Sequence, residues 1–387
     1  MNSLCTDIGY VCLNKCGEQL CGDRVEIVEQ GDNATVVVLA DGLGSGVKAN
    51  ILSTLTAKII STMMANDMSI EDCVSTIAAT LPVCDIRKVA YSTFTIIRIA
   101  GSNLEAELIQ YDNPHIIFLR DGKHVDYPEI CEMIDGKAIY KTKLKLREGD
   151  AFIAMSDGAI HAGVGQSLNF GWQREQIMEF METVYDPAFT AKTLSAMLVN
   201  ECSRLYGGEP GDDTSACTVK IRRREPMNLM IGPPADPKDV NKMMALFFSK
   251  EGKHIVCGGT TSTLAAEFLH EPLDVSMPTY IDPEIPPTAK IKGEGLVTEG
   301  VITISRVLEY ARDYLKDNER YTDWSYKKDG ASSIARMLFE EATDINFYVG
   351  RAVNPAHQNP NLPIGFNIKM RLIEELSECL KNMGKKI

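Results

Sequence analysis

The 387-residue sequence has no excess of positive charge, and this deficit sets the first limits on its function. It has 40 Lys and Arg residues against 53 Asp and Glu, a net charge of −13 at pH 7. A chain this acidic repels nucleic-acid phosphates and anionic membranes, so we expect neither as the main partner. The basic run at residues 141–147 is more simply interpreted as a solvated edge strand with alternating lysines, a basic substrate face being the alternative.

The sequence also lacks an apolar run of membrane-spanning length and the pattern of an N-terminal signal peptide. We therefore expect a cytoplasmic protein. Its eleven cysteines, an odd number spread over a large chain, then indicate reduced thiols rather than a disulfide framework. Four near the start lack a paired C-x-x-C spacing and are interpreted as small core residues, or else as metal ligands or redox sensors: Cys5, Cys12, Cys16 and Cys21.

Length and composition predict two domains. A chain of 387 residues exceeds the usual size of one domain, and a hydrophobic content of 44% allows a substantial core. Near residue 225 the composition changes, because Pro226 and the stretch at residues 232–237 (GPPADP) form a stiff break before a helical pattern resumes. We place the domains at residues 1–224 and 225–387.

The first domain shows strand patterns joined by short turns, together with long helical patterns. Residues 1–40 are predicted to form a β-hairpin or meander with a turn at residues 31–33. Ser69, with Asp72 three residues later, is a suitable N-cap for a helix. Strands that follow one another through short turns pair antiparallel, so we predict an α+β arrangement of helices on antiparallel sheet. The further strands are expected at residues 91–99, 104–111, 116–120, 151–155 and 216–221, and the helices at residues 46–65, 70–81, 174–183 and 188–206.

Aspartates stand at the ends of three apolar strands. Asp41 follows one strand, Asp157 follows a second, and Asp212 with Asp213 precedes a third. One Asp-Gly after a strand is usually a turn, but three such carboxylates in order are harder to explain that way. Hard divalent ions such as Mg²⁺ and Mn²⁺ prefer oxygen ligands. We predict that these aspartates converge on one metal site at an edge between two sheets.

The loop that begins at Asp41 (DGLGSG) has three glycines in five positions and opens a helix. Glycines let the backbone approach a ligand closely, and the N–H groups at a helix N-terminus favour negative charge. This loop therefore suits a metal ion together with a phosphate.

The second domain is predicted to be a smaller α/β domain. Its strand at residues 254–257 leads into a loop that opens a helix: Gly258, Gly259, Thr260 and Thr261. Such a loop can hold a phosphate or carboxylate, although it lacks the lysine of a P-loop and threonines are also ordinary N-caps. Helices are expected at residues 238–248, 303–316 and 368–383, and a proline-rich loop at residues 278–287.

These motifs, in this order, resemble the metal-dependent serine/threonine protein phosphatases of type 2C, specifically their bacterial SpoIIE-type branch. The resemblance rests on the loop at residues 41–46, on Ser-Asp-Gly at residues 156–158 and on Gly-Asp-Asp at residues 211–213. Residues 113–122 (NPHIIFLRDG) support it, and it covers residues 1 to about 223. The Gly-Gly-Thr-Thr module resembles the C-terminal module of SpoIIE-type phosphatases encoded near iron hydrogenases in anaerobic bacteria.

The resemblance implies a type 2C phosphatase-like antiparallel β-sandwich flanked by helices, and a pair of Mn²⁺ or Mg²⁺ ions. Asp41 would bridge both ions, and the Gly42 carbonyl would bind the second. Asp157 and Asp212 would complete the first ion's ligands, so Asp41, Asp157 and Asp212 are the expected catalytic residues.

Other residues keep two interpretations. Asp23 matches the family's early Gly-Asp and would act through water, while Asp213 either shares the role of Asp212 or is a turn residue. The leaving-group acid is unassigned, because Leu43 stands where the eukaryotic enzymes have a histidine. Three further candidates for phosphate clamp or acid are more simply interpreted as structural: Arg24, His115 and His161.

The resemblance implies hydrolysis of phosphoserine or phosphothreonine in a cytoplasmic regulatory protein, by direct attack of a metal-bridging water. The alternative is a non-catalytic, phosphatase-like signalling protein whose module at residues 225–387 senses a small anionic ligand. Clustered aspartates argue against this alternative, because without a metal they would repel one another. A homodimer is also expected.

Overall fold

The computed structural model describes residues 3–30, 34–80, 92–100, 104–274, 290–291, 296–298, 300–316, 320–352 and 365–387. The chain divides into two compact units, Met1–Arg223 and Arg224–Ile387. The function that the sequence assigns to each unit stays a prediction. The predicted turn at residues 31–33, the start of the strand at residues 91–99 and the proline-rich loop lie outside the described residues.

The first unit consists of strands, many of them joined by short turns, and of helices. Its strands are β1 (Leu4–Leu13), β2 (Asp23–Gln30), β3 (Ala34–Asp41), β4 (Thr93–Ala100), β5 (Glu105–Tyr111), β6 (Ile117–Arg120), β7 (Lys123–His124), β8 (Ile130–Ile134), β9 (Lys137–Lys145), β10 (Asp150–Met155) and β11 (Thr214–Arg223). Its helices are α1 (Gly46–Ala65), α2 (Ile70–Thr80), α3 (Asp157–Ile160), α4 (Arg174–Val184) and α5 (Ala191–Leu205). The predicted cap of α2 is present, since the Asp72 N–H donates to Ser69 Oγ at 3.2 Å.

Two antiparallel sheets form the centre of this unit. The first sheet has the order β1-β11-β10-β6-β7, and the second has the order β2-β3-β4-β5-β9-β8. Residues along a strand alternate between its two faces. In β3, Val37 therefore lies in the core between the sheets, while Val36 and Val38 lie in the core beneath α1 and α2.

The first sheet has the same two-sided burial. Phe152 of β10 packs between the sheets, and its neighbour Ile153 packs under α4 and α5. The layers are therefore helix, sheet, sheet, helix. The predicted α+β fold, an antiparallel β-sandwich flanked by helices, is confirmed.

Two local predictions in this unit are wrong. Residues 1–40 do not form one meander, because β1 pairs with β11 of the first sheet, while β2 and β3 form a hairpin in the second. The basic run at residues 141–147 is not an edge strand, because β8 covers the outer side of β9. Lys141 Nζ donates to Glu71 and Glu132 at 2.7 and 2.6 Å, so the charge of that lysine is neutralised locally.

The second unit alternates strands and helices. Its strands are β12 (Pro226–Ile231), β13 (Lys253–Cys257), β14 (Leu273–Asp274), β15 (Lys290–Ile291), β16 (Leu296–Thr298) and β17 (Asp344–Val349). Its helices are α6 (Val240–Phe248), α7 (Gly259–Leu269), α8 (Val301–Leu315), α9 (Tyr321–Ser325), α10 (Gly330–Ala335) and α11 (Gly365–Asn382), with a 3-10 turn at Pro237–Asp239 and a π-helical turn at Arg336–Glu341.

A parallel sheet in the order β16-β13-β12-β17 forms the core of this unit. Helices α6 and α7 pack on one face, and α8, α10 and α11 pack on the other. The predicted smaller α/β domain is confirmed as a fold. Pro226, predicted as part of a break, instead begins β12, a position where the missing N–H of proline is tolerated.

No helix in the described ranges is long and apolar enough to cross a membrane.

Phe152 provides a test of the sandwich core. Its ring is fully buried and stacks on Phe118 of the neighbouring strand, with 4.9 Å between the ring centroids. Phe152→Ala should lower the free energy of unfolding by about 3 to 5 kcal/mol, because it leaves a cavity between the sheets. Phe170→Ala is the control, since that ring is 84% exposed and its loss should cost less than about 0.5 kcal/mol. Urea unfolding of both variants measures this, and equal stabilities would contradict the packing.

Candidate metal centre

Strand register brings the first two aspartates together. Asp23 begins β2 and Asp41 ends β3, and their Cα atoms are direct partners in the antiparallel ladder. Their side chains are close enough that each perturbs the pKa of the other. Asp23, which only the family resemblance suggests from sequence, is 3% exposed.

The first sheet supplies the other carboxylates. Asp157 follows β10 after Ser156, and Asp212 and Asp213 precede β11. Because β10 and β11 are antiparallel neighbours, the end of one lies beside the start of the other, and the Ser156 N–H donates to the Ser215 carbonyl at 3.0 Å. The four segments that carry the predicted ligands therefore meet at one edge of the sandwich.

Two glycines allow Asp213 to lie between these segments. A Cβ atom on Gly22 would lie 2.7 Å from Asp213 Oδ2, and one on Gly158 would lie 2.1 Å from the Asp213 carbonyl oxygen. Any side chain at either position would push Asp213 away. The glycines at positions 22 and 158 are therefore needed for close packing around this carboxylate.

Hydrogen bonds orient some of the carboxylate oxygens and leave others without partners. Ser156 Oγ donates to Asp23 Oδ2 at 2.7 Å, and the Lys15 N–H donates to Asp213 Oδ1 at 3.0 Å. Asp23 Oδ1 and Asp213 Oδ2 are buried and have no hydrogen-bond partner among the described residues. A buried carboxylate oxygen without a partner is costly, so a cation at this place would stabilise both.

The pKa values report crowding of negative charge. Burial, followed by the charges of Asp23 and Asp157, raises the pKa of Asp41 to about 10. Burial also raises the pKa of Asp23 to about 6, with a contribution from Asp213 that hydrogen bonds from Ser156 and Ser215 partly offset. The pKa of Asp212 is raised by burial and by Asp157. Like charges forced together in this way are typical of a site that holds a cation.

The residues fit a hard divalent cation in chemistry. The cluster consists of five carboxylates, the ligands that Mg²⁺ and Mn²⁺ prefer. They belong to Asp23, Asp41, Asp157, Asp212 and Asp213. Across the described parts of the chain, no three Asp, Glu, His or Cys side chains are already spaced as ligands of one ion. Binding would therefore need rotation of side chains within the cluster.

The N-terminus of α1, where the sequence suggests a phosphate, has a carboxylate of the chain beside it. A Cβ atom on Gly46 would lie 2.3 Å from Glu18 Oε2, and Ser45 Oγ donates to Glu18 Oε1 at 3.4 Å. Negative charge is favourable at a helix N-terminus, so Glu18 stabilises α1 as an anionic ligand would. Gly42 is buried nearby, and its N–H donates to the Gly22 carbonyl at 3.1 Å.

Two of the three candidates for acid or phosphate clamp are already paired with carboxylates, and the third is exposed. Arg24 pairs with Glu26 at 3.2 Å, and His115 Nδ1 lies 2.8 Å from Glu129. His161 is exposed at the end of α3. Sequence reasoning did not find Ser156 as the residue that orients Asp23, although its place in Ser-Asp-Gly was a signal.

The N-terminal cysteines do not form one ligand set. Cys5 and Cys12 stand opposite Arg222 and Ser215 on β11, and seven residues of strand separate them by roughly 23 Å. The Cys12 and Cys21 thiols hydrogen-bond each other, and Cys21 Sγ lies 3.9 Å from Ser215 Oγ. One metal ion cannot bind all four cysteines, while redox sensing stays a hypothesis.

The anion-binding residues predicted in the second unit lie at the N-terminus of α7. Gly258 is the N-cap, with φ of 109°, and its carbonyl accepts from Ser262. Thr260 is exposed and Thr261 is buried. The loop is therefore the first turn of a helix, and its function stays a prediction.

Comparison with known proteins shows what the first unit is similar to. Residues 31–222 match the family model described as Stage II sporulation protein E (SpoIIE). The Stage II sporulation protein E of Bacillus subtilis (strain 168) is 23% identical over 225 residues, which cover 57% of this chain and 26% of that protein. This chain thus spans about a quarter of that relative's length. The first unit is therefore similar to SpoIIE-type domains over residues 31–222.

Solved structures show partial similarity. The type 2C phosphatase domain of SpoIIE from Bacillus subtilis, with a fragment of its regulatory domain, is 19% identical, covers 58% of this chain and 64% of that chain, and has a TM-score of 0.48. RsbX in complex with magnesium is 17% identical, covers 56% of this chain and 95% of that chain, and has a TM-score of 0.40.

Asp41→Asn tests whether the cluster holds cations. Without metal the variant should be more stable than wild type by at least ~1 kcal/mol, because an amide avoids the protonation that burial and neighbouring carboxylates force on Asp41. With Mn²⁺ at 100 times its Kd, wild type should gain about 2.7 kcal/mol, and the variant should gain much less. Thermal unfolding in EDTA and in MnCl₂ measures both effects. The exposed Asp126→Asn is the control, and an equal response of wild type and Asp41→Asn to Mn²⁺ would contradict the site.

Proposed function

We propose that this protein is a metal-dependent phosphatase that removes phosphate from serine or threonine of a cytoplasmic regulatory protein. The observation that carries the proposal is the cluster of five aspartates, two of them buried and three half-buried, which come from four chain segments of a SpoIIE-type domain. Two of its buried oxygens lack partners among the described residues, which favours occupation by cations over a purely structural role. RsbX, a structural relative, contains magnesium.

Each residue of the cluster has a proposed role. Asp41, Asp157 and Asp212 bind two divalent cations, Mn²⁺ or Mg²⁺, with help from the Gly42 carbonyl and Asp213. When bound, the cations supply charge neutralisation for the phosphoryl group and a water acidic enough to act as nucleophile. Ser156 keeps Asp23 oriented toward the cluster through its 2.7 Å hydrogen bond.

The second function to consider is a non-catalytic signalling protein whose second unit binds a small anion. Such a protein would have the same fold, but its aspartate cluster would bind no pair of ions. Calorimetric titration of the full chain with MnCl₂ separates the two functions, since the phosphatase should bind two ions and the signalling protein none. We also propose a homodimer, which a monomer mass by light scattering at micromolar concentration would contradict.

Hydrolysis of p-nitrophenyl phosphate by the full chain tests the proposed activity. Wild type should turn over substrate only with Mn²⁺ or Mg²⁺. Asp157→Asn, which removes charge but little volume, should lower kcat/KM at least ~100-fold because a cation ligand is lost. Asp126→Asn should keep the wild-type rate. A metal-loaded wild type without activity, or an Asp157→Asn variant at the wild-type rate, would contradict the phosphatase.

A further inference from the structure

Two half-buried thiols lie side by side next to the candidate metal centre. The Cys12 and Cys21 thiols hydrogen-bond each other, and Cys21 Sγ lies 3.9 Å from Ser215 Oγ. Ser215 is fully buried, and its side chain also hydrogen-bonds Cys12 and Asp23. One buried hydroxyl group therefore connects both thiols to a carboxylate of the aspartate cluster.

Strand pairing fixes one of these thiols and leaves the other on a loop. Cys12 belongs to β1, which pairs with β11 along its whole length, and its register partner is Ser215. Cys21 lies in the loop at residues 14–22, which joins β1 to β2 and is part of neither sheet. A disulfide needs an S–S distance of ~2.05 Å, which is shorter than the distance between two hydrogen-bonded thiols. Its formation therefore draws Cys21 and the loop toward β1.

Movement of Cys21 is transmitted to the aspartate cluster. Asp23 follows two residues later and is 3% exposed. Between them, Gly22 is packed so closely that an added Cβ atom would lie 2.7 Å from Asp213 Oδ2. Because there is no free space beside Gly22, a shift of this segment displaces Asp23, Asp213 or both.

We propose that Cys12 and Cys21 form a reversible disulfide, and that this bond weakens cation binding at the aspartate cluster. The effect on cations rests on the proposed metal centre, whereas formation of the bond does not. The disulfide is thus a modification site that regulates the proposed phosphatase through the position of Asp23.

A peroxide supplies the oxidation. It converts one thiol to a sulfenic acid with release of water, and the second thiol then forms the S–S bond with loss of a second water. Two electrons pass from the two sulfurs to the peroxide, and a dithiol reverses the change by exchange. Disulfides of reducing compartments are typically transient and redox-sensing, so a bond of this kind acts as a switch.

Peptide mapping of the full chain tests formation of the bond. Wild type is treated with hydrogen peroxide in EDTA, freed of peroxide, alkylated and digested without reductant. We expect a peptide pair that links Cys12 to Cys21 and that dithiothreitol separates. Cys16→Ser is the control, because Cys16 is an exposed thiol of the same loop, and this variant should still form the link.

Calorimetric titration with MnCl₂ tests the effect on the cluster. Peroxide-treated wild type should bind Mn²⁺ at least ~10-fold more weakly than reduced wild type, because disturbing the partners of metal ligands changes affinity by about this factor. Dithiothreitol, removed before titration, should restore the affinity, whereas it would not repair oxidised methionines. Cys12→Ser should bind Mn²⁺ as reduced wild type does, before and after peroxide. If Cys12→Ser does not fold, Cys21→Ser decides, since it should be equally insensitive to peroxide.

The proposal is overturned if peroxide-treated wild type contains no link between Cys12 and Cys21, or if Cys12 is linked to the neighbouring Cys217 instead. It is also overturned if the linked protein binds Mn²⁺ as tightly as the reduced protein. Failure of the proposed metal centre gives a different result, because reduced wild type would then bind no Mn²⁺ even though the link forms.

Discussion

Repulsion between buried carboxylates is the interaction around which the first unit is built. Asp41 and Asp23 face each other across one strand pair, and Asp157 and Asp213 approach from the other sheet. Left alone, such a group would push the ends of the strands apart. The sheets resist this because each buries both faces, one against the other sheet and one under helices. Apolar burial away from the site thus holds in place an arrangement that is unfavourable by itself.

Hydrogen bonds decide which carboxylates are held most firmly. Ser156 spans the two sheets, accepting from the Ser215 N–H at 2.9 Å while donating to Asp23. The Lys15 N–H holds Asp213 by a hydrogen bond to Oδ1. The second carboxylate oxygen of Asp213, and one oxygen of Asp23, have no hydrogen-bond partner among the described residues. The centre therefore combines a rigid inner part with oxygens that a cation would satisfy.

Periodic elements of this fold follow from the sequence, and their long-range partners do not. The helical period predicts α1 from residue 46 to residue 65, which are its ends in the structure. The sheet that β1 joins has no local signal, because its partner β11 is almost the whole unit away in sequence. Strand β8 was missed because four of its five residues are exposed and show no alternation.

The same distinction holds for the candidate metal centre. The aspartates after β3 and β10 stand out in the sequence because apolar strands end at them, but Asp23 begins a strand and needed the family resemblance.

The pairing of β1 with β11 has a consequence for synthesis of the protein. Leu4 is the register partner of Arg223, so β1 has no strand neighbour until the last strand of the unit has left the ribosome. During that time its N–H and C=O groups form an open edge, the kind of surface to which chaperones and other nascent chains bind. Because Asp212 and Asp213 immediately precede β11, the carboxylates also stay apart until then. A partly synthesised chain that lacks β11 therefore cannot assemble the cluster.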